Sequence, residues 1–174
     1  MRPDSVAREW TPVISIMSFV KICGLICLVL VAYFISRAYA AFRAQRRSEL
    51  DALCRVLLCM KEDIDVYQTF RPISMREEFL PLSVIGFSGG KDPAGELLSV
   101  VSRMNLLPAE KTSFSEILAR LGEGSVQSEK EKLDNLLEKV NCCLQKEESD
   151  GKKSVDTVRI VLFTVALALV IILL

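Results

Sequence analysis

Apolar residues follow two kinds of pattern along this chain. Two stretches are unbroken: Ile22 to Ser36, "ICGLICLVLVAYFIS", and Ile160 to Leu174, each 15 residues without a charge. As helices they would measure about 22 Å, against a bilayer hydrocarbon core of about 30 Å. Lys21 and Arg37 flank the first and Arg159 precedes the second. Long cationic side chains reach head groups while Phe19, Val20 and Val158 lengthen the apolar span. Two transmembrane helices are therefore predicted, over residues 19–36 and 158–174. The competing reading, two buried core helices, needs a larger domain to cover them than the residues between them can build.

The intervening residues are periodic instead. Leu50, Leu53, Leu57, Met60, Ile64 and Tyr67 recur at alternating spacings of three and four, which predicts one helix continuing from the first span to about Tyr67 with a heptad stripe. Arg71 before Pro72 ends it, since a residue preceding proline avoids the helical region. Ser74 with Glu77 has capping-box spacing and predicts a short helix through Leu82, limited by Pro81. "IGFSGGKDP" reads as a flexible loop, and Asp92 before Pro93 as an N-cap opening a helix to about Met104. Ser113 with Glu116 predicts another helix, through Leu121 and stopping at Gly122. The last helix is expected from Ser125, with Val126, Leu133, Leu137, Val140 and Leu144 as a second stripe and Glu129, Lys130, Glu131 and Lys132 on a solvated face. Gly151, inside "QKEESDGKKS", is expected to break or hinge it before the membrane. No stretch alternates like a strand. The expected architecture is all-α: an N-terminal extension (1–18), a transmembrane helix (19–36), a cytoplasmic helical bundle (37–157) and a second transmembrane helix (158–174).

Charge adds orientation. The 22 basic and 22 acidic residues cancel, which removes any global argument for nucleic acid or an acidic substrate. The cations cluster, however. Arg37, Arg43, Arg46 and Arg47 follow the first span, and Lys152, Lys153 and Arg159 lead into the second. Cationic residues near spans stay on the cytoplasmic side, so the middle of the chain is expected in the cytoplasm, held at both ends, with the apolar C-terminal run serving as an anchor. In an alternative, "RAYAA" places Ala38 and Ala40 as in a signal-peptidase site, which would remove the first forty residues or so and expose Cys54, Cys59, Cys142 and Cys143 to oxidation. Arg37 just before the site and the arginines after it argue against cleavage.

Candidate chemistry is sparse. Histidine is absent, and the six cysteines form no C-x-x-C pair, so no metal site and no cofactor are expected. Gly86 to Lys91, "GFSGGK", invites comparison with a phosphate-binding loop, but its spacing is one residue short and Asp92 stands where the magnesium-binding hydroxyl belongs. Asp63, Asp65, Glu77 and Glu78 form no recognisable acid–base pair. No enzymatic activity, small-molecule substrate or nucleic acid is expected. The surfaces best suited to a protein partner are the loop bearing Gly86, Gly89, Gly90 and Lys91 and the face bearing Glu129, Lys130, Glu131 and Lys132. Ordinary solvated surface is the competing reading of each.

The order of features resembles the stage III sporulation protein AB family of spore-forming bacteria. The resemblance rests on the short first span, the exit "RAYAAFRAQRRSELDAL", the stripe ending near "RPIS", the segment "ILARLGEGSVQSEKEKLDNLLEKV" and the apolar C-terminal run, and covers residues 17–174. Met17 would occupy the family's usual start, leaving residues 1–16 as an extension. Two departures stand out: Ser125 and Glu129 where the family usually has Asp and Gln, and no glycine in Val158 to Leu174, so close packing of the spans lacks that support. The resemblance implies a non-enzymatic membrane component of the channel between mother cell and forespore, lying in the mother-cell membrane around the forespore. Such a component is similar to the platform protein of type II secretion and type IV pilus machines. Its implied partners are the lipid bilayer, a cytosolic ATPase (protein AA) and other membrane proteins of the channel.

Overall fold

The computed structural model describes the backbone of residues 7–173 and the side-chain surroundings of residues 24, 26–150 and 155–168. It contains five α-helices and no strand among the described residues: α1 (Ala7–Tyr67), α2 (Leu80–Val84), α3 (Pro93–Arg103), α4 (Pro108–Leu118) and α5 (Val126–Leu173), with a 3-10 turn at Glu77–Phe79 before α2. The chain divides into two compact units, one of Met1–Ala41 with Lys152–Leu174, the other Phe42–Gly151.

The unit Phe42–Gly151 has one hydrophobic core, and every helix contributes to it. Leu50, Leu53, Leu57, Met60 and Ile64 of the first stripe are all buried, as are Leu133, Leu137 and Val140 of the second. Leu136, off the expected stripe, is buried too. Tyr67, the last member of the first stripe, is exposed; the Arg71 guanidinium lies 4.2 Å over its ring. Helix α1 ends there, with Gln68 at φ +58° and its amide bonded to Ile64 O at 3.1 Å, the left-handed exit common at helix C-termini.

Five boundaries depart from expectation, most of them for a local reason. Ser74 caps nothing: Ile73 donates its amide to Gly89 O at 2.9 Å, holding the chain away from helix, and Pro81 sits in the first turn of α2, where its missing N–H costs nothing, rather than ending a helix. Helix α4 begins at Pro108, not Ser113, because Pro108 occupies the first helical position and Glu110 reaches back to the Leu107 amide at 2.9 Å. It stops at Leu118, before the expected Leu121. Helix α5 passes through Gly151 without a break: a single glycine costs about 1 kcal/mol in a helix, and no proline or second glycine stands nearby. Asp92 does cap α3, accepting from the Gly95 amide at 3.0 Å, and Ser125 caps α5, accepting from the Ser128 amide at 3.4 Å.

In the other unit, Ile26 to Ile35 present mostly exposed apolar side chains, as do Ile160, Val161, Phe163, Val165 and Leu167. One helix among the described residues, over Ile26–Tyr67, is long and apolar enough to cross a membrane. The end of the second apolar run, residues 169–174, lies outside the described side chains. Among the described residues of this unit, Ala32, Ser36 and Ala166 are buried.

Candidate functional site

The loop singled out as "GFSGGK" does cradle an anion, and the anion belongs to the chain. Gly86 and Gly89 adopt φ +109° and +70°, conformations open to glycine. The turn they make points successive amides at Glu96, in the first turn and a half of α3. The Glu96 carboxylate accepts from the amides of Ser88 (3.0 Å), Gly89 (3.0 Å) and Gly90 (3.1 Å) and from Ser88 Oγ (2.7 Å). Its burial raises the pKa, but these four donors outweigh burial and hold the carboxyl below its ordinary value. The amides that a phosphate would need are already engaged, and the loop is tied down rather than flexible.

The segment "LGEGSVQSE" repeats the arrangement. Glu129, only 5% exposed, accepts from the amides of Gly122 and Gly124 at 2.9 Å each and from Lys132 Nζ at 2.8 Å. Burial again raises its pKa, and Lys132 with the two amides overcomes that and lowers it. Lys132 also donates to Arg120 O, and Lys130 pairs with Asp65 at 2.6 Å. The expected solvated face therefore reduces to Glu131, which is exposed; the other three hold the fold together.

The arginines after the first apolar run are also engaged. Arg46, 7% exposed, places Nη2 2.9 and 2.8 Å from the two oxygens of Glu110 and Nη1 3.3 Å from Glu147. Arg43 reaches Glu147 at 3.0 Å, and Arg47 pairs with Glu148. One turn on, Glu49 is 1% exposed and accepts from Asn105 N and Nδ2, both at 2.8 Å, and from Gln45 Nε2 at 2.9 Å. Cys143 lies 3.6 Å from Glu110, and burial together with that carboxylate pushes its thiol up to about 11. These contacts tie α1 to α4 and α5 within the unit. Breaking one partner of so buried a pair costs several kcal/mol. Of the remaining cations expected to flank spans, Arg37 donates to Tyr33 Oη at 3.4 Å and Arg159 is exposed; Lys21, Lys152 and Lys153 lie outside the described side chains.

Every buried carboxylate of the central unit thus already has donors, and the half-buried Cys143 thiol, its pKa pushed up, is held protonated. Among the described residues no group of His, Cys, Asp and Glu is placed to hold a metal. What the unit offers a partner is surface. The most exposed large apolar side chain among those described is Val84, at 83%, with Leu80 one turn before it on α2 and Met75 upstream, all uncovered. Sequence periodicity could not have found this patch, because α2 is only five residues long. Glu49 and Glu147 were equally hidden, since donors to them lie 56 and 104 residues away.

Compared with models of known families, with curated proteins and with solved structures, the chain finds no match in any of the three.

Proposed function

We propose that the protein is a non-enzymatic membrane platform: a helical bundle on the cytoplasmic side, held by membrane-spanning segments of its first and last helices, that docks a soluble ATPase in a channel or secretion-like complex of spore formation. The observation that carries this reading is the pairing of one well-packed helical unit, whose buried ionic groups are all internally engaged, with exposed apolar side chains on both terminal helices. A domain without a nucleotide site receives work from a motor only through surface contacts, and helices continuing from the domain into a bilayer carry that load onward. The sporulation setting rests on the sequence resemblance.

Self-association of a coiled-coil scaffold through the two stripes is the rival. Most of the surface it needs is taken up, because Leu50, Leu53, Leu57, Met60 and Ile64 of the first stripe and Leu133, Leu137 and Val140 of the second are buried in the core of a single chain.

Co-purification of the full chain in detergent with the ATPase tests the platform: a stable complex is expected, and no binding by a folded protein overturns it. Topology has its own check. Cys142 is exposed, so an impermeant thiol reagent should leave it unmodified in intact cells and label it after permeabilisation; labelling from outside removes the cytoplasmic domain and the platform with it.

A further inference from the structure

We infer that the cleft between the last turns of α1 and the segment 71–79 binds a small zwitterion, a molecule of α-amino-acid size carrying one carboxylate and one ammonium. The inference goes beyond the platform reading and does not depend on it.

The cleft has room for about 280 Å³, just below the volume of about 300 Å³ at which sites for drug-sized ligands begin. Glu62 and Asp63 line it from α1, Arg71 and Arg76 from the facing segment, and Cys59 lies on the same side as the carboxylates. Burial raises the pKa of the Cys59 thiol; of the charges around it, Arg76 lowers it and Glu62 and Asp63 raise it further. Charges of both signs therefore act on one thiol.

Both walls are anchored. Met60 and Ile64 hold the α1 side in the core. The opposite segment is fixed by the Ile73 amide on Gly89 O at 2.9 Å, by Phe79 at 1% exposure and by Glu78 on Arg55 at 2.7 Å. Elsewhere in this unit opposite charges on facing elements close on each other, as Arg47 with Glu148, Lys61 with Asp134 and Lys130 with Asp65 do. Across the cleft they stand apart, with no hydrogen bond or ion pair joining Arg71 or Arg76 to Glu62 or Asp63. The Arg71 guanidinium instead stacks 4.2 Å over the Tyr67 ring, which leaves its N–H edge open. Two guanidiniums and two carboxylates cancel, so a ligand of a single sign meets repulsion along with attraction. A ligand bearing both charges answers both walls.

Cys59 supplies a readout from inside the cleft. The full chain in detergent is treated with iodoacetamide in the presence of each common L-amino acid except cysteine, and alkylation of the Cys59 peptide is followed by mass spectrometry. The exposed Cys142 is the internal control. For a Kd of about 1 mM, an amino acid at about 10 mM slows Cys59 about tenfold, and at least one is expected to do so while Cys142 is unchanged. Its N-acetyl derivative lacks the ammonium and its amide lacks the carboxylate, so each should protect no more than about threefold. Arg76→Gln and Asp63→Asn should each remove the protection. If Asp63→Asn lowers the amount of folded protein, Glu62→Gln serves, since that side chain is exposed. Saturation-transfer NMR of the same amino acids on the wild-type chain and on Arg76→Gln reads the binding without the thiol. No binding of any amino acid by either method, equal protection by a singly charged derivative, or protection that survives both charge changes overturns the inference.

Discussion

The two glycine loops solve one problem with different chemistry. In each, the residue before the helix caps the third helical amide, and a glutamate at the fourth helical position reaches back to glycine amides in the loop. Around Glu96 every donor is neutral, and Gly89 is pressed so close to the Ile73 carbonyl that a Cβ would sit 2.1 Å from its oxygen. Around Glu129 one donor is the Lys132 ammonium, and a Cβ on Gly122 would meet open space. The first loop is a steric joint between the 70s segment and α3; the second is an electrostatic clasp over the start of α5. Like hydrogen-bond patterns therefore predict unlike sensitivities.

The largest effect should fall on the joint. Gly89→Ala forces a side chain into backbone at a left-handed φ and should cost about 3 kcal/mol or more, read as a lowered denaturation midpoint of the full chain in detergent. Next come the glutamates. Glu129→Ala takes the acceptor from two loop amides and the ion partner from Lys132, which keeps only Arg120 O, and should cost about 3 kcal/mol; Glu96→Ala, with only neutral donors around a less buried group, about 2 kcal/mol. Equal losses would dissolve the distinction between clasp and joint.

Acid should loosen both loops. Each carboxyl has a folded pKa below its unfolded one, so the unfolded chain binds protons first and stability is lost as pH falls below about 4.3 and on through the folded values. A pH titration of the denaturation midpoint should show this loss in the wild-type protein and a shallower one in either alanine variant. The smallest effect belongs to Gly122→Ala, which meets no atom and should cost about 1 kcal/mol from its φ of +90° alone.

What could be read in advance follows from how far each interaction reaches. Helix content, both stripes and the cap at Asp92 are written in spacings of two to seven residues, and the folded chain keeps them apart from Tyr67, which falls at a helix end. The Ser-x-x-Glu pattern failed at Ser74 and Ser113 because it competes with stronger local instructions, the Ile73–Gly89 bond in one case and Leu107–Pro108 in the other. Glu129 read as a surface charge because its neighbours in sequence are charged; only the folded loop reveals that it points inward. The Arg46–Glu110 contact joins residues 64 apart, beyond any periodicity argument. No pattern marks α2 as an uncovered ridge.

The glutamates that neutralise Arg43, Arg46 and Arg47 follow them by 64 to 104 residues. During synthesis those arginines exist for a time without their counter-ions. In a chain inserting into a bilayer as proposed, the segment is a strong cation while orientation is being decided and almost electrically silent once the helices have closed around it: a topogenic signal that folding erases.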